Sequence, residues 1–154
     1  MSHEEKKSAP AFRSFENYRW EEVPFLPYKE EDSAPFKAIS RQLLFKEEAL
    51  RCEMRYFEVA PGGYSTLEKH EHSHGVMILR GAADVMVGDE VKLAKTFDLV
   101  HIPANTWHQF RTKGDEPMGF VCMVNVERDK PQLPNEDDVA ALKENPAVAD
   151  FLKS

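Results

Sequence analysis

Between Ala38 and Val126 the apolar residues fall into short alternating runs, broken by Gly, Pro and Asp at intervals of about ten residues. That texture predicts strands at 39–45, 52–59, 65–70, 76–79, 83–87, 91–94, 98–102, 108–112 and 119–126, with Gly88-Asp89 as a tight hairpin. Short, evenly spaced strands with no helix between them predict an all-β sandwich or barrel over 36–130. The pattern differs on either side. Residues 1–35 carry charge and proline (Pro10, Pro24, Pro27, Pro35), with Trp20 and Phe25 as isolated apolar anchors, so they are expected to form an irregular N-terminal arm. In 131–154, Asn135 stands before Glu136, Asp137 and Asp138, the capping residue and first-turn charge that open a helix. Asn145-Pro146 should end that short C-terminal helix, and a final turn follows.

Composition narrows the class. A chain of 154 residues suits one domain, and 27 acidic against 20 basic side chains give a formal charge of −7. That balance works against binding phosphate backbones or anionic lipid, so neither nucleic acid nor membrane is an expected partner. The opening MSHEEKKSAP lacks the apolar core of a signal peptide, and no run approaches the ~20 apolar residues of a membrane span. A cytoplasmic protein is expected. Cys52 and Cys122 form no CxxC pair and are expected to be reduced and buried. The two apolar anchors of the arm, with little of their own to cover them, suggest a homodimer.

The chemistry clusters on histidine. Four of the six histidines lie at expected strand ends, three in KHEHSHG (His70, His72, His74) and one in NTWHQF (His108). If the strand ran straight, residues 68, 70, 72 and 74 would share a face. A turn near 71–73 instead puts Glu68 and His70 on one strand, His74 on the next and His72 on the bend. Imidazole and carboxylate donors from separate strands suit one divalent ion of the Mn, Fe, Co, Ni and Zn group.

The stretch from Gly62 to Thr112 resembles the two motifs of the cupin family, G-x5-H-x-H-x3-E-x6-G and G-x5-P-x-G-x2-H-x3-N. Gly62, Glu68, His70, His74 and Gly81 fall at the first motif's spacing, with Glu68 at its first histidine and His74 at its glutamate. Phe97, Pro103, Asn105, His108 and Thr112 fall at the second, which keeps only its proline and histidine in type. The resemblance implies a double-stranded β-helix, or jelly-roll barrel, holding a metal through Glu68, His70, His74 and His108. A turn shifted by two residues would put His72 in place of Glu68. The flanks RYFEVAPGGYSTLEKHEHSHGVMILRG and GFVCMVN are further similar to single-domain cupins of methylthio-sugar phosphate salvage, which release methanethiol.

Cupin chemistry is varied, so the reaction must come from the site. The leading expectation is a metal-dependent enzyme that binds a small oxygenated substrate, a sugar phosphate or hydroxy-keto acid, and works by Lewis-acid proton transfer, isomerisation or lyase chemistry. An Fe(II) dioxygenase and a non-catalytic binding or sensing module are the alternatives. Catalytic candidates are His72, His101, Cys122 and Tyr64. Arg41, Arg51 and Arg55 are candidate receivers of a substrate anion, and Gln109 adjoins an expected ligand strand.

Overall fold

The computed structural model describes residues 10–27 and 37–153. The start MSHEEKKSAP, as far as Ala9, and the part of the expected arm around Pro35 lie outside the described residues. The strands are β1 (Phe15–Glu16), β2 (Arg19–Trp20), β3 (Leu26–Pro27), β4 (Lys37–Glu47), β5 (Cys52–Tyr64), β6 (His74–Arg80), β7 (Ala82–Val87), β8 (Glu90–Lys95), β9 (Leu99–Ile102), β10 (His108–Lys113) and β11 (Met118–Asn125). A 3-10 turn, Glu48–Leu50, joins β4 to β5, and the chain ends in helices α1 (Glu136–Leu142) and α2 (Pro146–Lys153).

Strands β8, β7, β10, β5, β11, β6 and β9 lie side by side in that order, with β4 against β5, in one sheet curled into a nearly closed barrel. All the pairings are antiparallel, and β7 and β8 meet at Val87 and Glu90 around the expected two-residue Gly88-Asp89 turn. The core is built from inward positions of these strands, among them Val59, Ile78, Ala83, Ile102 and Met118, none of them solvent-accessible.

Alternation along β5 separates two environments. Glu53, Arg55 and Phe57 share one face and Tyr56 takes the other. The described part of the arm covers that other face. β1 and β2 form a hairpin whose turn residues Asn17 and Tyr18 both have positive φ, as a primed turn requires. Tyr18 and Trp20 lie on Tyr56, ring centroids 6.2 and 5.0 Å away, and Gln42 Nε2 donates to the Tyr18 carbonyl at 2.8 Å. Gly119 of β11 passes so close to the Tyr56 hydroxyl that any side chain there would collide with it. The arm therefore has more order than expected, and Trp20 is covered by its own barrel, which removes it as an argument for a homodimer. Phe25 stays partly exposed under the Arg19 guanidinium.

Three further differences have local causes. Residues 65–70 are not a strand, because Ser65 takes over the pairing: its Oγ accepts the Phe110 N–H and its carbonyl the Gln109 amide, each at 2.8 Å. Only single bridges remain, Glu68 to His108 and Lys69 to Gln132. Cys52 is half-buried at the end of β5, whereas Cys122 is buried. Asn145 caps a second helix rather than a turn, its Oδ1 accepting from Ala147 and Val148. Helix α2 buries Val148 and Phe151 against Met86 in a smaller second core.

Candidate metal centre

A cavity of about 270 Å³ opens among β5, β6, β10, β11 and the irregular 65–73 segment, and His70, His74 and His108 converge in it. The backbone brings each one in. His74 is the first residue of β6 and pairs with Val124 of β11, while His108 opens β10 and is bridged to Glu68 through both backbone bonds, 3.0 and 3.3 Å. The carbonyl of His70 accepts the Asn105 N–H at 2.7 Å, which ties the first histidine segment to the second.

One nitrogen of each ring is already engaged. His70 Nδ1 lies 2.6 Å from the His72 carbonyl and His108 Nδ1 lies 2.8 Å from the Thr106 carbonyl. A carbonyl only accepts, so both Nδ1 atoms carry the proton and both Nε2 atoms keep a free lone pair. His74 Nδ1 faces Cys122 Sγ at 2.9 Å, and its Nε2 is buried without any hydrogen-bond partner. One ligand atom from each ring lies within 4.8 Å of the other two, close enough for an ion with bonds of ~2 Å to draw together. The His70 and His108 ring centroids are 4.9 Å apart.

Burial keeps these rings neutral, the form that binds metal. It pushes His74 down to about 2, with His108 and His70 adding to the shift, and His108 down to about 4. His70 moves the same way, again through burial. The partnerless His74 Nε2 and the neutral, pre-oriented rings fit a divalent ion, and three imidazoles are compatible with each metal of the group above.

Two candidate fourth donors, Glu68 and His72, line the cavity beside the three histidines. Glu68 lines the cavity without joining the three-histidine group, and burial raises its carboxyl to about 7 against the pull of Arg55. His72 also lines the cavity, stacked on His70 with centroids 3.7 Å apart, but its Nδ1 is held 2.6 Å from Asp129 Oδ1. Asp129 also accepts the backbone N–H groups of Glu71 and His72, at 2.8 and 3.0 Å, and these bonds hold its carboxyl below the usual range.

The remaining candidates divide. Cys122 lies in the cavity, with His74 on one side and Arg55 Nη2 on the other at 3.8 Å; burial pushes its thiol up while Arg55 pulls it down. Tyr64 does not line the cavity, and its ring lies against Arg111. His101 is exposed in a separate surface depression beside Leu99 and Val100, so it is neither a proton carrier here nor a buried histidine. Gln109 is buried and braces Ser65. Of the three arginines only Arg55 lines the cavity; Arg51 pairs with Glu127 on the surface, and Arg41, on β4 opposite Phe57, is not among the lining residues. Sequence reasoning passed over Arg128, Asp129, Ser65 and Thr66, which also line it. They sit in irregular segments with no periodicity to mark a facing direction.

The comparisons agree with this geometry. The cupin domain model matches residues 55–124, the stretch that holds all four clustered histidines. The chain is 58% identical over 142 residues to the 1-methylthio-D-xylulose 5-phosphate methylsulfurylase of Rhodospirillum rubrum, covering 92% of this chain and 91% of that one. Among solved structures, a cupin 2 conserved barrel domain protein from Rhodopseudomonas palustris superposes with a TM-score of 0.88 at 49% identity, over 92% of this chain and 98% of the other. A cupin-2 domain from Rhodospirillum rubrum gives 0.85 at 57% identity, over 92% and 96%. Shared over nearly the whole chain and centred on the strands that carry the histidines, these likenesses establish that the protein belongs to the cupin family.

Proposed function

We propose that the protein is a metal-dependent enzyme that removes the methylthio group from a 1-methylthio-ketose phosphate, releasing it as methanethiol. The observation that carries this reading is the position of Cys122, a buried thiol 2.9 Å from one of three convergent histidines and 3.8 Å from an arginine. The 58% identical relative bears the name of such an enzyme. His70, His74 and His108 hold the metal, with Glu68 as fourth ligand and His72 as the alternative. Manganese, iron, cobalt, nickel and zinc all suit the donor set. When bound, the ion supplies a Lewis acid that polarises the substrate carbonyl.

The chain's own groups account for the rest. Cys122 attacks the sulfur of the methylthio group; a sulfur–sulfur bond forms, the bond from that sulfur to C1 breaks, and its electron pair stays on the ketose as the enolate. His74 Nδ1 and Arg55 Nη2 orient the attacking sulfur, and Arg55 offsets part of the burial that disfavours its thiolate. Protonation at C1 by water gives a 1-deoxyketose phosphate. A soluble low-molecular-weight thiol then attacks the mixed disulfide and expels methanethiol, and a second equivalent restores Cys122. The sum is substrate plus two thiols giving deoxyketose phosphate, methanethiol and one disulfide. A thiol kept free for this work suits a reducing, cytoplasmic compartment.

The test is methanethiol release from 1-methylthioxylulose 5-phosphate in the presence of a thiol. Cys122→Ser should abolish it while the bound metal stays at the wild-type level. Turnover in that variant, or turnover that survives complete metal removal, would sink the reading. Oxygen uptake coupled to turnover would favour a dioxygenase instead.

A further inference from the structure

The wall of the cavity beyond Cys122 carries two guanidinium groups on one carboxylate. Glu53 and Arg55 stand two residues apart on β5 and face the same side. Arg128 arrives from the segment after β11, where its Nη1 donates to the Asn125 carbonyl at 2.9 Å and to Glu53 Oε2 at 3.2 Å. The other oxygen of Glu53 lies 3.9 Å from Arg55 Nε, beyond hydrogen-bond reach. Glu53 therefore positions both cations without neutralising both, and it is itself buried.

Arg55 is short of partners. Its Nε is buried with no acceptor, and among the described residues its only hydrogen bond is the long one to the Cys122 sulfur. A guanidinium has five N–H donors in a planar fork, and leaving a buried one unmet costs free energy unless a ligand meets it. Arg55 and Arg128 against Glu53 leave one net positive charge in this trio, and Asp129, the ionised carboxylate next in the chain after Arg128, is already bonded to the His72 ring and to the Glu71 and His72 N–H groups. Such a site attracts a small dianion better than a neutral sugar.

We propose that Arg55 and Arg128, braced by Glu53, are the anchor for the substrate's phosphate group. The proposal rests on the function proposed above and deepens it. The contacts run from His74 to Cys122, from Cys122 to Arg55, and from Arg55 through Glu53 to Arg128. A ketose phosphate curved over these groups would put its C2 and C3 oxygens at the histidines, its C1 substituent at the thiol and its phosphate at the arginines. Arg55 touches both neighbours, so docking the phosphate fixes the guanidinium that faces the sulfur. A substrate without phosphate then loses alignment at the reacting sulfur as well as affinity.

Binding measurements on the metal-loaded protein test this without turnover. The wild type should bind a ketopentose 5-phosphate about 10- to 100-fold more tightly than the same ketopentose unphosphorylated, the difference that charged hydrogen bonds contribute. Arg128→Gln and Arg55→Gln should each reduce that preference by about tenfold with metal content unchanged, whereas Arg128→Lys, which keeps the charge beside Glu53, should retain most of it. Inorganic phosphate titrated into the wild type should displace the phosphorylated sugar and leave the unphosphorylated one in place. Equal binding of the two sugars, a preference that survives both glutamine variants, or no competition by phosphate would each overturn the proposal. The last measurement needs no variant to fold. A phosphate preference that depends on both arginines in a protein that releases no methanethiol would keep the anchor and remove the methylsulfurylase reading. Methanethiol release without the preference would do the opposite.

Discussion

Each face of β5 carries a polar cluster, and the two differ in which bonding groups are left over. Under the arm, the Tyr56 hydroxyl donates to Glu58 Oε2 at 2.9 Å, Arg80 Nη1 donates to the same oxygen at 3.1 Å, and Arg80 lies over the Tyr18 ring. Burial and the Glu58 carboxylate raise the Tyr56 phenol far above its ordinary value, so it stays a proton donor. One acceptor there, Gln42 Oε1, goes unmet. On the cavity face the unmet groups are His74 Nε2, able to ligate a cation, and the N–H of Arg55 Nε, matched to an anion. A buried cluster whose bonds are closed on themselves holds the fold together, whereas one with open bonds of defined sign has room for a ligand.

The largest expected effect breaks the cavity side of this comparison. His74→Ala or His108→Ala should weaken metal binding by at least ~100-fold, beyond the loss typical of outer partners of a ligand. Tyr56→Phe, which opens the Glu58 bond on the far face, should leave metal content unchanged while costing about 1 kcal/mol of stability. Elemental analysis and denaturant unfolding of the three variants check both halves. Metal loss in Tyr56→Phe would show that the faces are not independent.

A smaller effect follows from the neutral histidines. His108 is held down to about 4 and His74 to about 2, while in the unfolded chain both titrate near ~6.5. Between these values the unfolded state binds more protons, so stability rises with pH there and is lost as pH falls. The metal-free protein should therefore lose stability from about pH 6.5 toward pH 4, with Glu68, raised to about 7 in the fold, offsetting part of that loss, and His108→Gln should flatten the slope. Thermal unfolding of the wild type and His108→Gln across this range decides it; identical pH profiles for the two would mean the His108 ring is not buried as described.

How much of this was legible follows the regularity of the backbone. The strands on either side of the cavity, β5, β6, β10 and β11, announce themselves by alternation, and His70, His74 and His108 could be placed from spacing because two of them open strands. Segment 65–73 could not be read the same way. Its apolar and polar residues mimic a strand, but the Ser65 side chain replaces the ladder and Asp129, 57 residues from His72, sets the bend. Arg128 was invisible for a related reason, since its direction comes from Glu53, 75 residues away, and not from a local period. His101 failed in the other sense: it lies on a well-predicted strand, β9, yet alternation points it outward.

The smallest effect concerns where the cupin motif departs in residue type but not in backbone shape. Gly62 and Gly81 stand at motif glycines with φ of 76° and 63°. Phe97 and Asn105 stand where the second motif has glycine, and they too are left-handed, with φ of 74° and 55°. Asparagine tolerates this conformation, but a phenylalanine there is strained by ~1–2 kcal/mol. The turn needs the shape because the Phe97 N–H donates to the Ile78 carbonyl at 2.7 Å, and Phe97 recovers little in packing, being 72% exposed. Phe97→Gly should therefore stabilise the fold by ~0.5–1 kcal/mol, part of the relieved strain being offset by the greater freedom of glycine in the unfolded chain. The site lies in the β8–β9 turn, away from the cavity, so metal content and phosphate preference should not move. Chemical denaturation of the variant measures the gain, and a loss of stability would mean that the exposed ring makes contacts that outweigh its backbone strain.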